Sequence, residues 1–140
     1  MKTLYFESSA AVAWLFGETA ASGVIKAMDE AGVVVTSQLT IVEIERAIHR
    51  VVALRLIKEV SAQKLRGLLA RRRKKWITMA VTDSVLARAG SAFPIEPVKA
   101  LDAIHLATAL AFAGEFPEIG MLSLDRRISE NATALGLASA

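Results

Sequence analysis

Cysteine is absent from the 140 residues, which excludes a disulfide framework, thiolate-bound zinc, a thiol nucleophile and Fe–S ligation. Histidine occurs only twice, too sparsely for an imidazole-built metal cluster. The three prolines, Pro94, Pro97 and Pro117, all lie in the second half, and no Gly/Ser-rich linker, internal repeat or low-complexity tract divides the chain. One domain over residues 1–140 is therefore expected. There is no P-loop and no G-x-G-x-x-G, so the usual nucleotide cradles are excluded. Long apolar runs are missing as well: the longest uncharged stretch, AIHLATALAFAG, falls short of the roughly 18 residues of a membrane span. Lys2 precedes apolar residues as in a secretory leader, but Glu7, Ser8 and Ser9 interrupt them. A soluble, cytoplasmic protein with no membrane partner is expected, and the N-x-T string at 131–133 is then no glycosylation site.

What the chain has is apolar surface. Hydrophobic residues make up 54% and charged ones 22%, enough for one compact core. Short β-branched or apolar runs at 3–6, 33–36, 77–81 and 119–124 read as buried strands. Longer helical patterns fill 9–16, 20–31, 38–56, 61–75, 82–91, 100–112 and 126–135. Strands alternating with helices predict an α/β fold with a mostly parallel sheet flanked by helices on both faces. Sites in such sheets form beyond the C-terminal ends of the strands.

That rule selects four acids. Glu7 directly follows the first strand, and Asp125 follows the last, each at a strand-to-helix corner. As structural alternatives, Asp125 fits an N-cap, whereas beside Glu7 the serines Ser8 and Ser9 are better caps. Glu43 stands three residues after Thr40 in a capping-box spacing, and can also pair with Arg46 one turn on. Asp102 opens the helix LDAIHLATALAF, apolar nearly all round, where a carboxylate is costly unless a cation or hydrogen bonds meet it. Several carboxylates at one sheet edge repel, and a hard divalent cation, Mg²⁺ or Mn²⁺, keeps them ionised. With four acids set aside in such a pocket, 17 cations face ten remaining acids, a formal surplus of +7 that suits a phosphate-backbone substrate.

The ordered segments YFESSA, SQLTIVEIERA, LDAIHLATALA and LSLDRRI resemble those of the PIN-domain ribonucleases, and specifically the VapC toxins of bacterial toxin–antitoxin pairs. The resemblance implies a PIN-like fold and a metal-dependent endoribonuclease with Mg²⁺ or Mn²⁺ as cofactor. It places the acidic site at Glu7, Glu43, Asp102 and Asp125, the metal at Glu7, Asp102 and Asp125, and Ser9 and Ser123 as supporting hydroxyls. It further implies a homodimer, an RNA substrate and a cognate VapB-like antitoxin. Glu7 departs from the family's Asp, and its extra methylene shifts the carboxylate by about 1.5 Å, more than the roughly 0.5 Å tolerance of a well-held site.

Other residues have competing readings. Arg71, Arg72 and Arg73 in RRRKK, and Arg126 after the last acidic corner, can contact RNA phosphates, or can complement a helix terminus and pair with carboxylates. His105, one turn after Asp102, reads as a hydrogen-bonded core histidine, and Trp14 and Phe16 as core or dimer contacts. Two further functions stay open: a metal-dependent phosphohydrolase of small phosphate esters, and a catalytically weakened module acting by partner binding.

Overall fold

The computed structural model describes residues 2–139. In chain order the elements are β1 (Thr3–Phe6), α1 (Ser8–Leu15), α2 (Ala21–Glu30), β2 (Val33–Ser37), α3 (Gln38–Ala53), α4 (Glu59–Arg73), β3 (Ile77–Met79), α5 (Asp83–Ala89), α6 (Ala100–Ala113), β4 (Ile119–Leu122), α7 (Arg126–Ala134) and β5 (Ala138–Ser139). The strands form one sheet in the order β3-β2-β1-β4-β5, and every neighbouring pair is parallel. The expected α/β architecture is thus the observed one. β5 is absent from the sequence reading, since two residues carry no periodicity to detect. Residues 80–81 and 123–124, expected as strand, lie outside β3 and β4.

Alternation along the central strand builds the two layers. Leu4 and Phe6 face one cluster with Ala10, Trp14, Val24, Met28 and Ile44; Tyr5 faces the other with Leu106, Phe112, Met121 and Ile128. Helices α1 to α4 therefore cover one face and α5 to α7 the other. Trp14 settles its two readings in favour of the core: it packs edge-on against Phe6 and Trp76, with ring centroids 6.2 and 5.8 Å apart. Such pairs add about 0.5–1.5 kcal/mol each beyond area burial. Phe16 packs partly buried against the same cluster.

Helix α3 starts earlier than the capping-box spacing suggested. Ser37 is its N-cap, accepting from the Leu39 N–H at 3.0 Å, so Thr40 lies inside the helix. Thr40 is buried, its hydroxyl 2.7 Å from that of Thr36. Glu43 is thereby released from any capping duty. No helix among the described residues is long and apolar enough to cross a membrane.

Candidate active site

The sheet order reverses between β1 and β4, the place where parallel sheets open a crevice at their C-terminal ends. Glu7 and Ser123 follow these two strands directly, and the Glu7 N–H donates to the Leu122 carbonyl at 3.1 Å, extending the ladder by one bond. The corner is thus built by the strands themselves.

Contrary to the expectation that serine would cap α1, Glu7 is the N-cap. One carboxylate oxygen accepts from the Ser8 hydroxyl at 2.8 Å. The other accepts from the Ser9 N–H at 3.0 Å, the Ser123 hydroxyl at 2.7 Å and the Ser9 hydroxyl. The serines are therefore donors to the cap rather than caps. Ser9 Oγ also accepts from the Leu124 N–H at 2.8 Å, and Ser123 Oγ from the Asp125 N–H at 3.0 Å, so the two strand-to-helix corners are tied together. Glu7 itself is only 2% exposed. Charge-assisted bonds from four donors and the positive end of α1 make burial of this carboxylate tolerable.

Asp125 caps α7, accepting from the Ile128 N–H at 3.1 Å. Asp102 lies in the first turn of α6 and stands half-buried. Partial burial raises its pKa above the usual carboxylate range, and the negative charges of Asp125, Glu7 and Glu43 push the same way. The other three acids named from the sequence thus all act electrostatically on Asp102. They are not gathered into a ready ligand set, however: among the described residues, no three His, Asp or Glu side chains are placed to hold one cation. Two of the four are engaged elsewhere, Glu7 on its serines and Glu43 on a histidine.

That histidine is His105, fully buried in α6. Its Nε2 lies 2.5 Å from Glu43 Oε1, and its Nδ1 lies 2.8 Å from the Tyr5 hydroxyl. Glu43 thus turns to His105 across the fold and not to Arg46 on its own helix. Burial drives the Tyr5 phenol far above its ordinary pKa, and the charge of Glu7 adds to this. Reading His105 as a hydrogen-bonded core residue is accurate for its position and omits its partner. Tyr5 is a residue that motif and spacing do not single out; its only signal is its place in β1, on the face that receives α6.

The candidate phosphate contacts are dispersed. Arg126 lies at the acidic corner, but its Nε donates to Glu130 on the same helix at 2.6 Å, with the side chain almost wholly in solvent. Arg71, Arg72 and Arg73 end α4, and Arg72 lines a cleft with Ala31, Gly32 and Trp76, beside the start of β2. They therefore lie at the N-terminal edge of the sheet, away from the acidic corner. Asn131 is buried, which removes it from any glycosylation reading.

The PIN domain family matches the chain over residues 4–133. Ribonuclease VapC35 of Mycobacterium tuberculosis, in each of two strains, is 31% identical over 137 residues, covering 96% of this chain and 93% of that protein. The crystal structure of Mycobacterium tuberculosis VapC20, described as a sarcin–ricin loop cleaving toxin, superposes with a TM-score of 0.68. That match covers 100% of this chain and 98% of the other at 14% identity, and it shows a shared fold.

Proposed function

The chain belongs to the PIN-domain family, in its VapC group, and from that premise we propose that it is a metal-dependent endoribonuclease hydrolysing RNA phosphodiesters. In this reading it is the toxin of a toxin–antitoxin pair, a cytoplasmic homodimer inhibited by a cognate VapB-like antitoxin. The observation that carries the proposal is Asp102: a carboxylate placed at the start of an apolar helix, its pKa raised by burial and by three other acids at the switch point of a parallel sheet. Nothing in a purely structural role requires that accumulation of charge.

The donors are all oxygen and carry excess negative charge, which suits Mg²⁺ or Mn²⁺. Glu7, Asp102 and Asp125 would hold the ion. When bound, such an ion acidifies water and stabilises charge on the phosphoryl oxygens. The chain's own part is positional. Ser9 and Ser123 fix Glu7, the caps on α1 and α7 fix the two corners, and Glu43 keeps Oε2 free to take the proton of an attacking water. Arg126 and, at the far edge, Arg71, Arg72 and Arg73 would meet RNA phosphates. Attack by water leaves 5′-phosphate and 3′-hydroxyl ends.

The test incubates antitoxin-free protein with total RNA and Mg²⁺ or Mn²⁺, beside an EDTA control and Asp102→Asn. Discrete cuts requiring both metal and Asp102 are expected. Cyclic-phosphate ends would replace water attack by attack of the ribose 2′-hydroxyl. Preferential turnover of small phosphate esters would recast the protein as a phosphohydrolase, and no turnover under any condition would leave a partner-binding module.

A further inference from the structure

Glu43 is the one acid of the site held by a histidine, and that histidine is itself held. A carboxylate only accepts hydrogen bonds, so the 2.5 Å contact requires the proton on Nε2 of His105. The phenol of Tyr5 has a proton to give at neutral pH, and Nδ1, 2.8 Å away, has the lone pair to accept it. The three groups thus form a directed chain, Tyr5 O–H to Nδ1 and Nε2–H to Glu43 Oε1. It spans β1, α6 and α3, so Glu43 is oriented from across the fold. Tyr5 and His105 are fully buried, and the side chain of Glu43 is 25% exposed. Water therefore reaches only the outer end. The ring edges meet at 72° with centroids 6.0 Å apart, which restricts imidazole rotation.

The geometry points to Tyr5 and His105 as positioning residues for the reaction proposed above: the Tyr5 hydroxyl holds the His105 ring at Nδ1, and His105 pins one oxygen of Glu43 so that the other faces the attacking water. This rests on the endoribonuclease reading. Removing the phenolic oxygen leaves the buried Nδ1 without a partner and frees the ring to turn from Glu43, which loosens the hold on Oε1. The loss falls on turnover, because Glu43 acts in the proton-transfer step and neither Tyr5 nor His105 touches RNA.

Two readouts separate this inference from the function it rests on. The first is independent of activity: ¹⁵N–¹H correlation of the imidazole nitrogens, with the exposed His49 identified through His49→Gln. Wild-type protein is expected to show a single Nε2–H tautomer for His105, and Tyr5→Phe the same tautomer with a shifted and broadened Nε2–H signal as the ring loses its hold at Nδ1. An Nδ1–H tautomer in the wild type overturns the inference. The second is steady-state cleavage. Tyr5→Phe is expected to lower kcat about tenfold with KM within about twofold, and His105→Leu to lower kcat further, with partial rescue by His105→Gln, whose amide can still donate to Glu43. Unchanged kcat in folded Tyr5→Phe, or equal losses in His105→Leu and His105→Gln, overturns the positioning role. A wild-type protein with the expected tautomer but no RNase activity removes the function, and the positioning role with it.

Discussion

At the scale of single residues, Glu7 and Asp102 behave oppositely. Glu7 has four donors and is stabilised where it lies, whereas Asp102 has negative neighbours and a raised pKa. Because the folded state holds the Asp102 proton more tightly than the unfolded chain, stability falls as pH rises from the ordinary carboxylate range through the raised pKa, and is level above it. Asp102→Asn should therefore abolish cleavage yet raise stability at pH 7, by about 1 kcal/mol or less since a half-exposed charge is screened, and with it the melting temperature. That gain should vanish below the ordinary carboxylate pKa. Thermal melts across pH 3–8 check the sign, and a less stable Asn variant at pH 7 would contradict it. For Glu7→Asp, the shorter side chain keeps the cap on α1, because Asp is a good N-cap, and draws back from Ser123 by about 1.5 Å. RNA cleavage should be retained or raised; a fall of tenfold or more would mean that the serine cluster requires the length of Glu.

At the scale of elements, the site depends on how α7 and the segment before α6 are joined. Asn131 of α7 is buried; its Oδ1 accepts from the Ile95 N–H and its Nδ2 donates to the Ile95 and Arg127 carbonyls, all between 2.9 and 3.0 Å. Glu96 braces the same segment by accepting from the N–H groups of Phe93 and Val98. One side chain thus links the helix carrying Asp125 to the approach to Asp102. Asn131→Ala removes three bonds and leaves the half-buried N–H and carbonyl of Ile95 without that partner, a cost of about 2–3 kcal/mol. The expected outcome is a clearly lower melting temperature together with reduced cleavage, measured on the folded fraction; an unaltered melt would show that the segment is held without it. None of this is legible in the sequence, where residues 131–133 read only as a sequon to set aside. Local signals are legible. Hydrophobic runs locate four strands, and strand-to-helix corners locate Glu7 and Asp125. The misreadings concern long-range partners: Thr40 fits a capping box in isolation, while its buried bond with Thr36 depends on β2, and Glu43 meets a histidine 62 positions away. Periodicity reports which face is buried, not which polar group waits there.

At the scale of the whole molecule, the longest run of cations ends α4, away from the acidic corner. Without the five consecutive cations at 71–75, the remaining 12 cations face 14 acids, a net charge of −2. The net positive charge of this chain thus depends on one run at the N-terminal edge, and none of its five members is in an ion pair among the described residues. The acidic corner lies at the other edge, about 16 Å away along the five residues of β2 at roughly 3.3 Å each. Unneutralised carboxylates repel phosphate, so the acidic end is a poor place for RNA to gain affinity before a cation binds, and the far patch can supply it without touching the reacting bond. Interactions made equally in the ground and transition states alter KM and leave kcat alone. Reversing Arg71, Arg72 and Arg73 to Glu should therefore raise KM for long RNA and lower the slope of log KM against log salt by about two to three, at roughly 0.7–0.9 for each phosphate no longer neutralised. kcat should stay within about twofold, and an oligonucleotide too short to reach from one edge to the other should be cut by both proteins with the same KM. Equal KM and equal salt slopes on long RNA would assign the run to its other reading, a solvated complement to the C-terminal dipole of α4.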